Sequence, residues 1–152
     1  MEIRVQREDF SIDEEWRKCK ERMSGRGGAI VAFAGLVRDL NADDDVLGLF
    51  LEHYPGMTEN SIEKIVLEAQ SRWSLLDVVV IHRIGELKAR DQIVLVLVGS
   101  AHRPDAFAAC EYIMDFLKTE AMFWKKEIRG TSEQWIESTS NDEVRNRRWR
   151  NS

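Results

Sequence analysis

The sequence predicts an α+β fold in which helices pack on a mixed β-sheet. Stretches with an apolar residue every three or four positions alternate with short runs of β-branched residues. The 152 residues, 43% of them hydrophobic, suffice for one core. The predicted order is β-α-β-β-α-β-β-α-β-β. No repeat or linker divides the sequence, so we expect one domain over 1–138 and a polar, flexible C-terminal tail over 139–152.

The first two elements are a short strand and an amphipathic helix. Ile3 and Val5 alternate with polar neighbours, which indicates a strand over 2–6. From Ser11 onward, apolar residues recur at helical spacing and mark one face of a helix. The glycine-rich segment 25–28 ends that helix.

Two strands and a second helix follow. Small and β-branched residues over 29–37 predict a strand, and Gly35 inside it is typical of a bulge or of a close approach by another group. Loose alternation over 47–54 predicts the next strand, which the Pro-Gly pair at 55–56 closes. An apolar stripe over 58–73 then predicts a helix.

The second half of the chain adds two buried strands, a third helix and a hairpin. Segments 77–84 and 92–100 are predicted strands, and the second is almost continuously apolar, as expected for a central strand covered on both faces. The segment 101–105 opens a helix, since its Pro and Asp suit a first helical turn. Segments 123–128 and 134–137 flank a glycine turn and predict a β-hairpin.

The composition argues against several classes of protein. The charged N-terminal segment is unlike a signal peptide, and no apolar run approaches the ~18–20 residues of a membrane span. We therefore expect a soluble, cytoplasmic protein. The net charge of -5 argues against binding nucleic acid over the whole surface. Cys19 and Cys110 lie on helical apolar stripes, which favours buried thiols over disulfides or metal ligands.

The sequence gives no strong signal for a metal. The acidic run 43–45 lacks the glycine and the terminal glutamate of a calcium loop, which favours a solvated loop. His53 and His82 have no partner carboxylate or cysteine at a ligand spacing, and we interpret both as structural. The prediction is a protein with neither a metal nor a cofactor.

Positive charge beside the ends of predicted elements marks three candidate sites. Arg38 ends a strand, and His102 and Arg103 lie at a strand-to-helix junction, where unpaired N–H groups favour anions. Lys118 and Lys125 lie seven residues apart, and two geometries are open. One unbroken helix would place them two turns apart on one face. A strand that starts near Phe123 would instead put Lys125 on the same face as Phe123 and Glu127, with Lys126 on the other face. Either geometry could converge on one pocket.

The sequence contains no recognisable nucleophile motif. It lacks Gly-x-Ser-x-Gly, a phosphate-binding loop that ends in Lys-Ser/Thr, and His-Glu-x-x-His. An enzyme with this sequence would therefore receive its nucleophile from another molecule, with Lys, Arg and His as anion clamps and proton carriers. A competing interpretation is a module that binds single-stranded nucleic acid through 145–150, where arginines surround Trp149. The net charge opposes it.

Five motifs carry a resemblance to a known family. They are Phe33-Ala-Gly-Leu-Val-Arg38-Asp39, Leu51-Glu-His-Tyr-Pro-Gly-Met57-Thr58, Ile81-His-Arg-Ile-Gly85, Ser100-Ala-His-Arg103, and Phe116-Leu-Lys-Thr119 followed by Phe123-Trp-Lys-Lys-Glu127. In this order, from about residue 2 to 138, the sequence resembles the large, catalytic subunit of molybdopterin synthase, the MoaE family. Because several motifs are long and unusual, the resemblance is specific.

The resemblance implies a sulfurtransferase of molybdenum cofactor biosynthesis. Family members convert cyclic pyranopterin monophosphate (precursor Z) to molybdopterin with sulfur from the C-terminal Gly-Gly thiocarboxylate of a small ubiquitin-like subunit. They form a homodimer within a heterotetramer, on an α/β-hammerhead fold with an additional antiparallel β-subdomain. A thiocarboxylate is itself a sulfur nucleophile, which agrees with the missing protein nucleophile. A member that only scaffolds the small subunit is disfavoured, because the matched basic residues are retained.

The resemblance also implies roles for individual residues. Lys118 and Lys125 match the catalytic lysines, and we hypothesise that Lys118 transfers a proton while Lys125 places the thiocarboxylate. A lysine acts as a base only when its pKa falls towards ~7–8, and burial and like charges push it that way. Leu36 and Met122 depart from the family pattern, where Lys and Pro are frequent. The positions matched to substrate binding are Leu36, Val37, Arg38, His102, Arg103, Lys126 and Glu127.

Overall fold

The computed structural model describes residues 1–38, 46–121, 123–129, 133–136 and 140–152, which form eight strands and four helices. The strands are β1 (Glu2–Gln6), β2 (Ala29–Leu36), β3 (Val46–His53), β4 (Asp77–Arg83), β5 (Gly85–Lys88), β6 (Gln92–Ser100), β7 (Phe123–Arg129) and β8 (Glu133–Ile136). The helices are α1 (Ile12–Met23), α2 (Met57–Arg72), α3 (Arg103–Leu117) and α4 (Ser140–Arg150). The acidic run 43–45 and Met122 lie outside the described residues.

The strands form two sheets of four strands each. The central sheet has the order β1-β4-β6-β2, in which β1 is parallel to β4 and the other neighbours are antiparallel. The second sheet, β5-β3-β7-β8, is antiparallel. This arrangement confirms the predicted α+β class with an additional antiparallel β-subdomain. Among the described residues, no helix has the length and apolar character to cross a membrane.

The core lies on both faces of the central sheet, because successive side chains of a strand point to opposite faces. On β4, Val78 and Val80 belong to a cluster that includes residues of α2 and α3. Val79 and Ile81 belong to a second cluster, which includes residues of α1. A strand that is covered on both faces needs apolar residues at nearly every position, which explains the continuous apolar runs of β4 and β6.

Local interactions fix α1 where the sequence places it. The Ser11 hydroxyl accepts a hydrogen bond from the Glu14 N–H at 3.2 Å, as an N-cap residue does. The helix ends at Ser24, whose backbone is left-handed with φ 51°. Cys19 on α1 and Cys110 on α3 are buried, and burial raises the pKa of each thiol to about 12. Their prediction as core residues is confirmed.

The short strand β5 goes beyond the sequence prediction, which treats its residues as a connector between β4 and β6. Gly48 through Leu51 of β3 pair with β5. Gly85 has φ 84°, a conformation that glycine adopts without strain, and it turns the chain out of the central sheet into the second one. A strand of four residues is too short for alternation to indicate it.

Helix α4 occupies most of the segment predicted to be a flexible tail. The Trp149 ring packs edge-on against those of Trp73 and Tyr112, with centroids 5.7 and 5.6 Å away, and its N–H donates to the Asp115 carboxylate at 2.6 Å. Arg145 Nε donates to the same carboxylate at 3.0 Å. The sequence does not indicate this helix because it has no apolar stripe, and contacts with α3 stabilise it instead. The segment is thus helical and packed, which corrects that expectation.

Candidate functional site

Helix α3 separates the candidate residues into two groups. His102 is its N-cap residue and Arg103 its first residue, whereas Lys118 is its C-cap residue. With 15 helical residues between them, the two groups lie about 22 Å apart along the helix axis. His102 and Arg103 therefore do not meet the two lysines within one chain.

Arg38 lies at the same end of the sheet as the C-terminus of α3. Leu36, the last residue of β2, pairs with Gln92 at the start of β6, and α3 follows β6 and returns along the sheet. Val37 is buried, and its N–H donates to the Asp91 carbonyl oxygen at 2.9 Å. This bond fixes the backbone directly before the exposed Arg38. The Leu36 side chain is also exposed.

The turn between α3 and β7 decides the geometry of the two lysines. Lys118 caps α3, and Phe123 begins β7, so the strand alternative is correct and the unbroken helix is wrong. Alternation along β7 puts Phe123 and Lys125 on one face of the strand. Lys126 and Glu127 lie in β7, but their side chains are outside the described part of the structure.

Lys125 is half-buried, and its pKa falls to about 8. Loss of hydration on burial is the main cause, the ammonium of Lys118 adds to it, and Asp142 on α4 opposes it. About a tenth of the amine is then neutral at pH 7, against far less for an ordinary lysine, and a neutral fraction is the condition for accepting a proton. The hypothesis from the sequence gives that role to Lys118. Lys118 is exposed, whereas Lys125 is half-buried, so burial makes Lys125 the better candidate for proton transfer.

His82 is buried beside both lysines, although the sequence suggests only a structural role. Its ring stacks on Phe123, with centroids 4.0 Å apart and 25° between the planes. Nδ1 lies 2.8 Å from the Arg83 carbonyl oxygen, so Nδ1 carries the proton. Burial, and then the charges of Lys125 and Lys118, lower the pKa of His82 to about 4. The imidazole is therefore neutral at pH 7. No local spacing in the sequence indicates this position of His82, because Phe123, on which its ring stacks, is distant in sequence.

A groove of about 470 Å³ runs between β2, α3 and α4. Phe33 and Phe107, which are 40% and 61% exposed, contribute to its apolar lining. Five charged residues also line it, the carboxylates of Glu111, Asp115 and Asp142 and the cations of Lys118 and Arg145, and Arg145 is paired with Glu111 and Asp115. Apolar walls with a few charged groups at this volume are typical of a ligand site.

At the other end of α3, His102 and Arg103 are exposed. The Ser100 hydroxyl donates to the His102 carbonyl oxygen, and the Gly28 N–H donates to the Ser100 carbonyl oxygen at 2.9 Å. These bonds hold the backbone at a helix N-terminus, where an anion is favoured. The two side chains are thus available to an anion or to another chain.

Acidic partners occupy several arginines of α4. Arg145 and Arg148 contact Glu111 at 2.6 and 2.8 Å, and Arg150 contacts Glu120. Because these charges are paired and the tryptophan of α4 is packed, this helix is a poor match for a phosphate backbone with stacked bases. In the described parts of the chain, no cluster of three or more His, Cys, Asp or Glu could hold a metal ion.

The fold and the lysine end define a class of protein, a small α+β protein with a half-buried amine beside an exposed one. The family model described as MoaE protein matches residues 5–120. The chain is 53% identical over 147 residues to the molybdopterin synthase catalytic subunit of Vibrio cholerae, covering 97% of each. It is 50% identical over 140 residues to the Escherichia coli protein of the same name, covering 92% of each. The chain belongs to the MoaE family.

Solved structures agree with this assignment. The MoaE protein of Burkholderia ambifaria is 46% identical, with a TM-score of 0.83 over 98% of each chain. Molybdopterin synthase from Staphylococcus aureus is 32% identical, with a TM-score of 0.79 over 87% of this chain and 94% of that one. A complex of subunits 1 and 2 of molybdopterin-converting factor from Helicobacter pylori is 19% identical, with a TM-score of 0.75, and shares the fold. The chain is an enzyme subunit of molybdenum cofactor biosynthesis.

Proposed function

We propose that this chain forms the site in which sulfur passes from the C-terminal thiocarboxylate of a small ubiquitin-like subunit to cyclic pyranopterin monophosphate, giving the molybdopterin dithiolene. The observation that carries this proposal is the half-buried amine of Lys125, whose pKa is about 8, beside Lys118. A thiocarboxylate brings its own sulfur nucleophile. The site must then move protons and stabilise negative charge, which two lysines can do.

The two lysines divide this work according to their exposure. Lys125 is the proton carrier, because burial keeps part of its amine neutral near pH 7. Lys118 is exposed at the groove and holds an anionic group, either the carboxylate end of the partner tail or an intermediate. These roles exchange the two that the sequence suggests.

The groove beside Lys118 is the proposed path of the partner tail. A Gly-Gly terminus has no side chains, so its backbone can lie in this groove against the exposed rings of Phe33 and Phe107. The Helicobacter pylori neighbour is a complex of two subunits, and we extend that arrangement to this chain. A cytoplasmic location is part of the same proposal.

A homodimer would complete the site. His102 and Arg103 lie about 22 Å from Lys118 along α3 in the same chain. They can therefore bind the same substrate as the lysines only if a second copy supplies them. We assign them to the substrate phosphate, with Arg38 at the lysine end. Leu36, Val37, Lys126 and Glu127 keep their predicted role beside the substrate.

The first experiment is turnover of precursor Z by the chain with a thiocarboxylated small subunit, with dithiolene formation as the readout. Lys118→Ala and Lys125→Ala should each lower the rate by about 10²-fold or more, because a proton carrier or an anion clamp is lost. Lys64→Ala, on the exposed face of α2, is the matched control. Size-exclusion chromatography must show the complex intact. No product from the wild type in a stable complex would leave only a scaffold.

A second experiment tests whether two copies share one site. Lys118→Ala and Arg103→Ala chains, each inactive alone, are mixed under conditions that exchange subunits. If one copy supplies Lys118 and the other supplies Arg103, about a quarter of the sites regain both residues and activity recovers in proportion. If all residues act within one chain, no mixture recovers activity.

A further inference from the structure

The position of His82 in the fold suggests a role for it. It lies near the end of β4, opposite Val5 of β1 and Val94 of β6. Alternation puts it on the same face as Val80, the face covered by α2 and α3. It is 7% exposed. A histidine in this position is therefore held on both sides by strands and faces the helix that Lys118 caps.

The hydrogen bond of His82 fixes its charge state. The Nδ1–H donates to the Arg83 carbonyl oxygen, which leaves the lone pair on Nε2. A second proton would create a buried cation beside Lys118 and Lys125, and both lysines oppose it. The ring accordingly offers Phe123 a neutral, flat surface over the working range of pH.

The stack of His82 on Phe123 fixes the start of β7. The two rings lie 4.0 Å apart and 25° from parallel. Phe123 is the first residue of the strand, and its N–H donates to the Ala121 carbonyl oxygen at 3.0 Å, which closes the turn after α3. Lys125 is the next residue on the same face, opposite the buried Leu51. Because the two side chains are neighbours on one face of the strand, a shift of the Phe123 ring is expected to shift the Lys125 side chain as well.

We propose that His82 is a positioning residue, whose neutral ring, stacked on Phe123, holds Lys125 in its half-buried place beside Lys118. The proposal rests on the function proposed above only for the claim that Lys125 works in catalysis. The burial of Lys125 itself can be measured without turnover.

Three titratable groups in the described part of the chain face Lys125 from the elements packed around it. They are His82 on β4, Lys118 at the end of α3 and Asp142 on α4. Asp142 favours the charged amine and Lys118 disfavours it. A variant that displaces α4 would therefore also change the titration of Lys125, and Asp142→Asn reports the size of that effect.

The test is an NMR titration of reductively methylated lysines, in which isotope-labelled methyl signals report each midpoint and Lys125→Arg identifies the signal. The wild-type midpoint is expected near 8. His82→Phe keeps a flat ring on Phe123 and should leave the midpoint in place. His82→Ala removes the ring, which should hydrate Lys125 and raise the midpoint by about one unit or more. Phe123→Ala removes the stack from the other side and should do the same.

A matched control separates positioning from loss of core packing. Val80→Ala removes a buried side chain from the same face of β4, two residues before His82. It should lower the melting temperature without moving the titration midpoint of Lys125. If His82→Ala does not fold, Phe123→Ala decides, because Phe123 is only partly buried. A midpoint that stays near 8 without the stack, or that rises in His82→Phe, overturns the proposal.

Activity adds a readout that distinguishes the two proposals. The pH at which turnover is half-maximal should follow the Lys125 midpoint in Phe123→Ala and in His82→Ala. If the NMR midpoint moves while the pH profile of turnover does not, His82 positions Lys125 as proposed, and the catalytic role of Lys125 is wrong.

Discussion

The imidazole of His82 and the ring of Phe123 stack across the two sheets, with 4.0 Å between their centroids. His82 belongs to β4 of the central sheet and Phe123 to β7 of the second one. The stack is therefore a joint between the sheets, and it lies at the end of the molecule that carries Lys118 and Lys125. The two rings therefore contribute to the packing of the sheets and lie next to the lysines of the candidate site.

The first prediction concerns stability in acid. Burial lowers the pKa of His82 from 6.5 to about 4, so the unfolded chain binds the proton more tightly. The neutral His82 therefore contributes its full share to the free energy of unfolding above pH 6.5. That share is lost as the pH falls towards 4, and the loss is about 3 kcal/mol at most. His82→Phe removes the titrating group and should flatten that part of the pH dependence. Urea unfolding between pH 4 and 7 measures it.

The control for this prediction is Val80→Ala on the same face of β4. It removes core packing but no titrating group, so it should lower stability by a similar amount at every pH. If His82→Phe loses as much stability as the wild type between pH 6.5 and 4, the buried neutral imidazole is not the cause.

The second prediction concerns the attachment of α4. Asp115 is 7% exposed and accepts hydrogen bonds from Arg145 Nε and Trp149 Nε1. Asp115→Asn removes the charge and turns an amide donor towards one of these donors, which should cost about 1–3 kcal/mol. The loss should be local, so the amides of α4 should exchange hydrogen faster while those of β4 and β6 keep their protection.

Glu111 provides the comparison, because it also pairs with Arg145 but is exposed. Glu111→Gln should change stability by less than about 1 kcal/mol, as surface ion pairs usually do. Equal exchange rates of the α4 amides in Asp115→Asn and in the wild type would show that the buried carboxylate does not hold this helix.

Patterns within single elements predict much of this fold from the sequence. Ser11 and the glycine-rich segment after α1 mark a helix, and the apolar runs of β4 and β6 mark central strands. Gly35 predicts an irregularity, and the register of β2 shifts between Gly35 and Leu36. A Cβ at Gly35 would lie 2.6 Å from Val94 Cγ1, which explains the glycine.

Features that depend on contacts distant in sequence are not predicted. The helix α4 depends on one indole and on ion pairs with α3, and β5 depends on its pairing with β3. The distance between His102 and Lys118 follows from the length and direction of α3, which no motif contains. His82 looks like an ordinary strand residue until Phe123, 41 positions later, is placed against its ring.

The last prediction is that replacing Lys125 stabilises the protein while removing its activity. The pKa of Lys125 is about 8 in the folded chain against an ordinary 10.5. Below pH 8 the folded chain therefore holds a charged ammonium in a half-buried position, which lowers its stability. The unfolded chain keeps the proton up to 10.5, and wild-type stability therefore rises with pH between 8 and 10.5. Lys125→Met should be more stable than the wild type at pH 7 by about 1–3 kcal/mol, since the side chain is only half-buried. This advantage should shrink as the pH approaches 10.5.

Urea unfolding of both proteins at pH 7 and at pH 10 measures this difference, and Lys64→Met on the exposed face of α2 controls for the general loss of a lysine charge. The same Lys125→Met protein should lose turnover, because it has no amine to carry a proton. A gain in stability together with a loss of activity is expected where a charged group is kept for its chemistry. If Lys125→Met is less stable at pH 7, the amine is better solvated or better paired than its contacts indicate, and its pKa would then lie near 10.5.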